Sequence, residues 1–326
     1  MQYRKLGRTG LKVSRICLGT MTFGSQVEEA EAIEIVKSAM SAGVNFFDTA
    51  DQYINGRSEE IVGKALKGER HSVVLATKIG AWQSGSSVND IGASRKHIMK
   101  GVEESLRRLG TDYIDLYYVH RPDYDTPIEE TLRAMDDLIH QGKVRYVACS
   151  NFRAWQLAKA LLESELHNLA RFECVQPPYN LLTRDIEYEL LPFCESEDVG
   201  VCIYNPLAAG LLTGKHDPKK PPAEGTRFTQ ERLGPMYRER YWSDINFNAI
   251  AQLKQIAEEH ARNMAQFALA WVLNQPAITA AICGISSAQQ LEINAAAVEI
   301  GLSQEELTAC DEVWHQLRPP RFLYGR

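Results

Sequence analysis

Along the chain, short runs rich in β-branched and aromatic residues alternate with longer segments whose apolar residues recur at helical spacing. Segments such as VEEAEAIEIVKSAMSAG carry the helical pattern and stop at glycine. The alternation predicts eight β-α units. Their strand candidates are ICLGT (16–20), VNFFDTA (44–50), VVLATKI (73–79), YIDLYYVH (113–120), VRYVACS (144–150), ECVQP (173–177), GVCIYNP (200–206) and AAICGI (280–285).

Near-continuous apolar strands that alternate with amphipathic helices are typical of parallel strands covered by helices. Eight such units within 326 residues predict an α/β fold in which one domain, residues 1–326, forms a closed (β/α)8 TIM barrel. A doubly wound sheet is the main alternative. That fold usually carries a G-x-G-x-x-G turn after its first strand, and the sequence contains none. GLLTGKH (210–216) resembles a P-loop, but its glycines are one residue too close and His216 replaces the magnesium-binding Ser/Thr.

Two segments lie outside the eightfold pattern. QYRKLGRTGLKVSRI (2–16) places alternating residues on either side of GRTG, which predicts an N-terminal β-hairpin that covers the barrel floor. Residues 216–244, after the seventh strand, are rich in proline, glycine and charge and show no periodicity. Long insertions of this kind in compact domains are usually functional loops.

The amino-acid composition limits the classes of partner that the protein is expected to bind. Lys and Arg number 36 and Asp and Glu 42, and the net charge of −6 favours neither nucleic acid nor an anionic membrane. The first residues are polar and no apolar run approaches the ~20 residues of a membrane span, so we predict a cytoplasmic protein with a small-molecule partner. Seven dispersed cysteines predict reduced thiols, and the absence of close histidine pairs argues against a metal site.

Polar residues end nearly every predicted strand, where the chemistry of such barrels gathers. Singly, each has a structural explanation, because Asp caps helices, Lys is solvated and His satisfies local hydrogen bonds. Together they indicate one site. In chain order the strand-end residues are Thr20, Asp48, Lys78, His120, Ser150 with Asn151, Gln176, Tyr204 with Asn205, and Gly284.

Three of these positions, together with a tyrosine from one of the loops, suggest a proton-transfer set. Asp48, Lys78 and His120 end three consecutive strands, and the loop after Asp48 carries Tyr53 to the same mouth. A tyrosine, with a pKa of about 10, needs nearby positive charge to stabilise its phenolate, and Lys78 supplies it. Asp48 keeps the buried lysine charged, and His120 hydrogen-bonds the substrate oxygen or the phenol.

Seven motifs stand in the order and spacing of the aldo-keto reductases: FFDTADQY, ATK, SLRRLGTDYIDLYYVHRPD, GKVRYVACSNF, VQPPYNLL, YNPLAAGLLTGK and GISSAQQLEIN. The chain resembles this family over nearly its whole length, and within it the branch that contains the β subunits of voltage-gated potassium channels. The resemblance implies a barrel that binds a nicotinamide cofactor and reduces aldehydes or ketones to alcohols. It implies catalytic roles for Asp48, Tyr53, Lys78 and His120, with Tyr53 as the proton donor.

The resemblance also implies a cofactor site. The implied contacts are Ser150, Asn151 and Gln176 for the carboxamide, Tyr204 for the nicotinamide ring, Asn205, Leu207 and Lys215 for the pyrophosphate, and Arg227, Gly284, Ser286, Gln290 and Asn294 for the adenosine end, with Thr20, Met21, Asp48, Pro206 and Gly210 completing the set. Ala148 replaces a common glycine, and Asn205 replaces a frequent serine but keeps a hydrogen-bond donor.

The residues matched to the adenosine end of the cofactor point in two directions on whether NADPH or NADH is preferred. Gly284, Ile285 and Gln290 stand where some relatives carry basic residues, which weakens recognition of a 2′-phosphate. Arg227 matches an arginine that related barrels fold over the adenosine phosphate. We therefore predict NADPH as the preferred cofactor, with NADH as an alternative.

Two alternatives to a reductase stay open at this point. A cofactor-sensing regulatory subunit would resemble the channel β subunits, which tend to carry an amide-bearing residue where this chain has His120. A Schiff-base lyase would use Lys78 as a covalent nucleophile, which Asp48 disfavours by keeping that lysine protonated. The substrate pocket is less defined, because aromatic residues serve equally well in pockets and in cores. The pocket candidates are Trp82, Tyr124, Tyr241, Trp242 and the tail RPPRFLYGR (318–326).

Overall fold

The computed structural model describes residues 1–81, 85 and 87–318, and it confirms the predicted (β/α)8 barrel. Two short strands form an antiparallel N-terminal hairpin, and eight parallel strands follow in a closed ring in which the last pairs with the first. The hairpin strands are β1 (Tyr3–Lys5) and β2 (Lys12–Ser14). The barrel strands are β3 (Ile16–Gly19), β4 (Phe46–Asp48), β5 (Val74–Ile79), β6 (Ile114–Val119), β7 (Val144–Ser150), β8 (Phe172–Gln176), β9 (Gly200–Tyr204) and β10 (Ala280–Gly284).

Most of the helices surround the barrel, because their apolar stripes pack on the outer face of the sheet. Local sequence fixes several of their ends. Ser94 caps the third helix at its start, Gly110 ends it in the left-handed conformation at φ 62°, and Ser303 opens the last helix with a capping box. The helices are α1 (Glu29–Ser41), α2 (Arg57–Ala65), α3 (Arg95–Leu109), α4 (Ile128–His140), α5 (Ala154–Leu166), α6 (Leu190–Ser196), α7 (Gly234–Tyr241), α8 (Asp244–Glu259), α9 (Met264–Asn274), α10 (Ala288–Ala296) and α11 (Gln304–Leu317).

The strands are apolar on both faces because the sheet separates two cores. Phe47 belongs to the larger core between strands and helices, whereas its neighbour Phe46 belongs to the smaller core inside the barrel. Since side chains alternate along a strand, Asp48 lies on the inner side with Phe46. The same alternation carries Lys78 inward from Ala76. Polar residues at the strand ends are therefore directed into the mouth.

The N-terminal hairpin covers the barrel floor, as its sequence predicts. Leu6 and Val13 are fully buried in the inner core. Gly7 adopts φ 52°, and a Cβ there would lie 2.6 Å from the carbonyl oxygen of Asp198. Only glycine fits this left-handed, closely packed turn.

Residues 216–243 differ from the expectation of an irregular loop. A short 3₁₀ helix forms at Arg227–Thr229 and is followed by α7. An aromatic cluster fixes the base of this segment. The centre of the Trp242 ring lies 4.9 Å from the ring centre of Phe228, 5.3 Å from that of His216 and 5.0 Å from that of Phe247. We call residues 216–243 the mouth segment.

Two further features bear on the sequence predictions. All seven cysteines are buried and free, as expected for reduced structural thiols. Within the part of the chain that the structure describes, none of the helices combines the length and the apolar character that a bilayer crossing requires.

Candidate active site

Lys78 is the centre of a buried polar cluster at the barrel mouth. It is completely buried and donates three hydrogen bonds through Nζ, to Asp48 Oδ1 at 2.5 Å, to the Thr49 carbonyl at 2.7 Å and to the Tyr53 hydroxyl at 3.1 Å. An ammonium group carries three protons, so each finds one acceptor. The strand-end residues and the tyrosine loop therefore converge as the sequence predicts.

The pKa values in this cluster reflect burial and charge together. Burial lowers the pKa of Lys78, but the neighbouring Asp48 carboxylate and Tyr53 reverse the effect, and the net pKa is raised. Burial also raises the pKa of Tyr53, and the Lys78 charge offsets this only in part. The lysine is thus an ammonium ion and the tyrosine a neutral phenol at neutral pH. The Lys78 charge favours the phenolate, as the sequence predicts, but desolvation is the larger effect on the pKa of Tyr53.

His120 lies beside Tyr53, with the two rings 6.0 Å apart and edge to face. Burial, the Lys78 charge and the Arg121 charge hold the pKa of His120 well below its usual value, so the imidazole is neutral. Gln52 Nε2 lies 3.1 Å from His120 Nδ1. Gln52 directly precedes Tyr53 but was not among the residues predicted for the site. The only indication in the sequence was its position next to Tyr53, which does not show where its side chain points.

A chain of hydrogen bonds links the ends of β7, β8 and β9 to Asp48. The Tyr204 hydroxyl donates to Asn151 Oδ1 at 2.9 Å, and Asn151 Nδ2 donates to Ser150 Oγ at 3.0 Å. The Ser150 hydroxyl donates to the Gln176 carbonyl at 2.8 Å, and Gln176 Nε2 donates to Asp48 Oδ2 at 2.9 Å. Both carboxylate oxygens of Asp48 are thus occupied, which fixes its orientation under the mouth.

These residues border one cavity of about 1280 Å³. Lys78 lies behind its surface rather than on it. The cavity exceeds the volume of a typical small-ligand pocket, which is at most about 1,000 Å³, so it has room for a dinucleotide together with a substrate. The predicted site residues that line it are Thr20, Met21, Asp48, Tyr53, His120, Tyr124, Ser150, Asn151, Gln176, Tyr204, Asn205, Arg227 and Gly284.

The predicted adenosine end is only partly assembled around this cavity. Arg227 lies so close over Gly284 that a side chain at residue 284 would clash with its guanidinium. Gln290 Oε1 instead accepts from the Ser286 backbone amide at 2.9 Å, and Asn294 is buried. The predicted cofactor residues outside the cavity lining are Pro206, Leu207, Gly210, Lys215, Ser286, Gln290 and Asn294.

Two of the predicted pocket aromatics, Tyr241 and Trp242, do not line the cavity. Tyr241 is 3% exposed, and its hydroxyl accepts a hydrogen bond from Asn205 Nδ2 at 2.9 Å. Trp242 belongs to the aromatic cluster of the mouth segment. Both side chains pack under the mouth segment. Aromatic residues are as common in apolar cores as in pockets, so their composition alone did not show which position they take. Tyr124 does line the rim, at 79% exposure. Trp82 and residues 319–326 lie outside the described residues.

Helix α7 and the residue before it form a wall of the cavity that was not predicted from the sequence. Leu233, Met236, Tyr237 and Arg240 all line the cavity. Their spacing of i, i+3, i+4 and i+7 is that of one helix face. This signal was present in the sequence, but Gly234, Pro235 and the surrounding charges obscured it.

Comparison with known proteins agrees with this geometry. The model of the aldo/keto reductase family matches residues 15–315. The chain is 39% identical over 305 residues to a probable voltage-gated potassium channel subunit beta of Arabidopsis thaliana, covering 92% of each chain. It is 39% identical over 326 residues to the uncharacterized oxidoreductase YrpG of Bacillus subtilis, covering 96% of each. It is 37% identical over 314 residues to the aldo-keto reductase YhdN of that species, covering 90% of this chain and 87% of the relative. The chain therefore belongs to the aldo/keto reductase family and is an NAD(P)H-dependent oxidoreductase that acts on carbonyl groups.

Proposed function

We propose that the protein reduces aldehydes or ketones to alcohols with NADPH and that Tyr53 supplies the proton. The observation that carries this proposal is the position of the Tyr53 hydroxyl, 3.1 Å from the Lys78 ammonium and beside the neutral His120 ring, at the border of the cavity. This arrangement provides a proton donor, a charge that stabilises the donor after the proton leaves, and a hydrogen-bond partner for the substrate oxygen.

The residues around the cavity suit a nicotinamide dinucleotide. Ser150, Asn151 and Gln176 present polar groups on one wall, as a carboxamide requires, and Tyr204 offers an aromatic surface beside them. Because Gly284 has no side chain, the Arg227 guanidinium can lie against the backbone there and still line the cavity. When bound, the reduced cofactor supplies the hydride for carbonyl reduction.

Tyr53 performs the proton transfer in this proposal. The raised pKa keeps its phenol protonated at neutral pH. As the carbonyl oxygen gains negative charge, the phenol donates its proton, and Lys78 stabilises the resulting phenolate through the existing hydrogen bond. Asp48 keeps Lys78 charged through the 2.5 Å contact to Nζ. The lysine therefore acts through the tyrosine.

His120 orients the carbonyl in this proposal. In the orientation of the Gln52 amide in the structure, Nε2 donates to His120 Nδ1. A neutral imidazole that accepts at Nδ1 carries its proton on Nε2, which is then available to donate to the substrate oxygen. Gln52 would thus select the useful tautomer.

The preference for NADPH rests on Arg227. Its guanidinium lies at the end of β10, over Gly284, and lines the cavity. Within the described part of the chain, no carboxylate lies within 4.0 Å of it, so its charge is available to a 2′-phosphate. Ser286 and Gln290 hydrogen-bond one another and offer no charge. NADH, which has no 2′-phosphate, would differ from NADPH only in lacking this contact with Arg227.

The two rival functions receive unequal support. A regulatory role remains a second candidate because the Arabidopsis thaliana relative is named as a probable channel subunit. His120, present here, favours turnover over sensing. A Schiff-base lyase needs a neutral lysine amine, whereas Lys78 donates three hydrogen bonds and has a raised pKa.

The test is oxidation of NADPH with a panel of aldehydes and ketones, followed at the nicotinamide absorbance. Catalysed turnover with at least one carbonyl compound, lost in Tyr53→Phe, is the expected result. Tight cofactor binding without turnover across the panel would favour the regulatory role instead.

A further inference from the structure

The face of α7 that borders the cavity carries one charge. Leu233, Met236 and Tyr237 contribute apolar or aromatic surface, and Arg240 follows one turn later. The same cavity is bordered by Tyr53 and His120 on its inner side. The arginine therefore lines the same cavity as Tyr53 and His120.

The charge of Arg240 reaches the floor of the site. Burial raises the pKa of Tyr204 to about 12, and the Arg240 charge is the strongest influence in the opposite direction. The Tyr204 hydroxyl donates to Asn151, which belongs to the hydrogen-bonded wall that ends at Asp48. A second cation, Arg121, also lines the cavity and lowers the pKa of His120. Two arginines of the cavity lining thus act on residues at the strand ends, Arg240 on Tyr204 and Arg121 on His120.

Arg240 has no structural partner that explains its position. Within the described part of the chain, no carboxylate lies within 4.0 Å of its guanidinium, and none of the hydrogen bonds there uses it. Arg238, two residues earlier, is different, because it donates to the Phe228 carbonyl and ties α7 to the 3₁₀ helix. Arg238 holds the mouth segment together, whereas Arg240 is free to meet a ligand.

The acidic residues of the cavity do not neutralise this arginine. Asp48 holds Lys78. Asp123 accepts from the Ala93 amide at 2.7 Å and from the Thr126 hydroxyl at 2.7 Å. The remaining two carboxylates, Asp125 and Glu231, are exposed to solvent, as Arg240 is, and neither lies within 4.0 Å of its guanidinium.

We propose that the carbonyl substrate carries a carboxylate, which Arg240 binds while the carbonyl end reaches Tyr53 and His120. This inference rests on the proposed reductase function. The planar guanidinium fork matches a carboxylate in two parallel hydrogen bonds, and the apolar face of Leu233, Met236 and Tyr237 accommodates the carbon skeleton between the two polar ends.

The experiment compares 4-carboxybenzaldehyde with its methyl ester, which have the same skeleton and aldehyde but differ in charge. For each compound, kcat/KM with NADPH and Kd in the presence of NADP+, which cannot reduce the aldehyde, are measured in the full-length protein. The variants are Arg240→Gln and, as a control, Lys219→Gln, which removes an exposed cation of the mouth segment that does not line the cavity.

The wild-type protein should favour the carboxylate over the ester. Arg240→Gln should weaken binding and kcat/KM for the carboxylate at least about fivefold, change the ester less than about twofold and leave the Kd of NADPH unchanged. Lys219→Gln should resemble the wild type.

Three results would overturn the inference: no preference for the carboxylate in the wild type, an equal loss for both compounds in Arg240→Gln, or a weakened Kd of NADPH that assigns Arg240 to the cofactor. Carboxylate binding that depends on Arg240 but leads to no turnover of any carbonyl compound would keep the anion site and refute the reductase function. The two failures are therefore distinguishable.

Discussion

The Nζ of Lys78 lies 3.1 Å from the hydroxyl of Tyr53, and the two groups come from different elements, the end of β5 and the loop after β4. The barrel brings them together because neighbouring parallel strands end at the same mouth. Their contact joins a permanent positive charge to a phenol whose burial keeps it protonated.

Lys78→Met should be nearly inactive while still binding cofactor and carbonyl ligands. Removing the ammonium removes the charge that stabilises the Tyr53 phenolate, so the pKa of the phenol should rise further and proton donation should slow. We expect kcat to fall at least ~100-fold, which steady-state kinetics measures, with ligand affinities from titration as the control. An active variant with an unaltered pH profile would show that Lys78 does not act on Tyr53.

The wild-type rate should be flat across neutral pH. Tyr53 must be protonated, and because its pKa is raised, the rate falls only as pH rises above about 10, the ordinary tyrosine value. His120 must be neutral, and because its pKa is lowered well below 6.5, the rate falls only as pH drops through that lower value. The profile of kcat/KM against pH tests both limbs. An acidic limb centred near pH 6.5 would contradict the neutral, desolvated histidine.

Gln52→Leu should lower kcat/KM by roughly 3- to 10-fold, the scale of one lost hydrogen bond, and leave the Kd of NADPH unchanged. The variant removes the 3.1 Å contact to His120 Nδ1 while keeping a side chain of similar size. Nitrogen-15 NMR of the imidazole gives a readout separate from activity, since the wild-type proton should reside on Nε2 and the variant should mix tautomers. An Nδ1 proton in the wild type would reverse the assigned role of the glutamine.

Arg227→Ala should weaken NADPH binding by roughly 1.5–3 kcal/mol, the scale of a charged hydrogen bond, and leave NADH little changed. The reason is the guanidinium over Gly284, which has charge available for the 2′-phosphate. Fluorescence titration of both cofactors measures the effect, with Lys219→Ala as the charge-matched control. Equal losses for the two cofactors would show that Arg227 does not read the 2′-phosphate.

The strands were predictable because a strand that is buried on both faces has apolar residues at nearly every position. The run VVLATKI is mostly apolar until its end. Lys78 stands out in it because the other residues on the inner face of that strand are apolar. Predicted and observed ends agree within about two residues, the usual uncertainty of such boundaries. The convergence of Asp48, Lys78 and His120 followed from the barrel geometry alone.

The remaining features depend on contacts that no local pattern contains. Tyr241 and Trp242 have the composition of pocket residues, but their depth is set by Asn205 and by the aromatic cluster of the mouth segment. Gln52 reaches His120 across 68 positions of sequence. Helix α7 was missed for a different reason, because turn-forming and charged residues outweighed a helical spacing that was present.

The most direct test of the proposed mechanism is the rate of carbonyl reduction by Tyr53→Phe, which removes one oxygen and leaves the ring. If the Tyr53 hydroxyl donates the proton, kcat should fall at least ~100-fold while the Kd of NADPH stays nearly unchanged. The measurement is steady-state kinetics with a substrate for which chemistry limits the wild-type rate. A variant that keeps more than about a tenth of the wild-type kcat under these conditions would contradict the role of Tyr53 and, with it, the proposed mechanism.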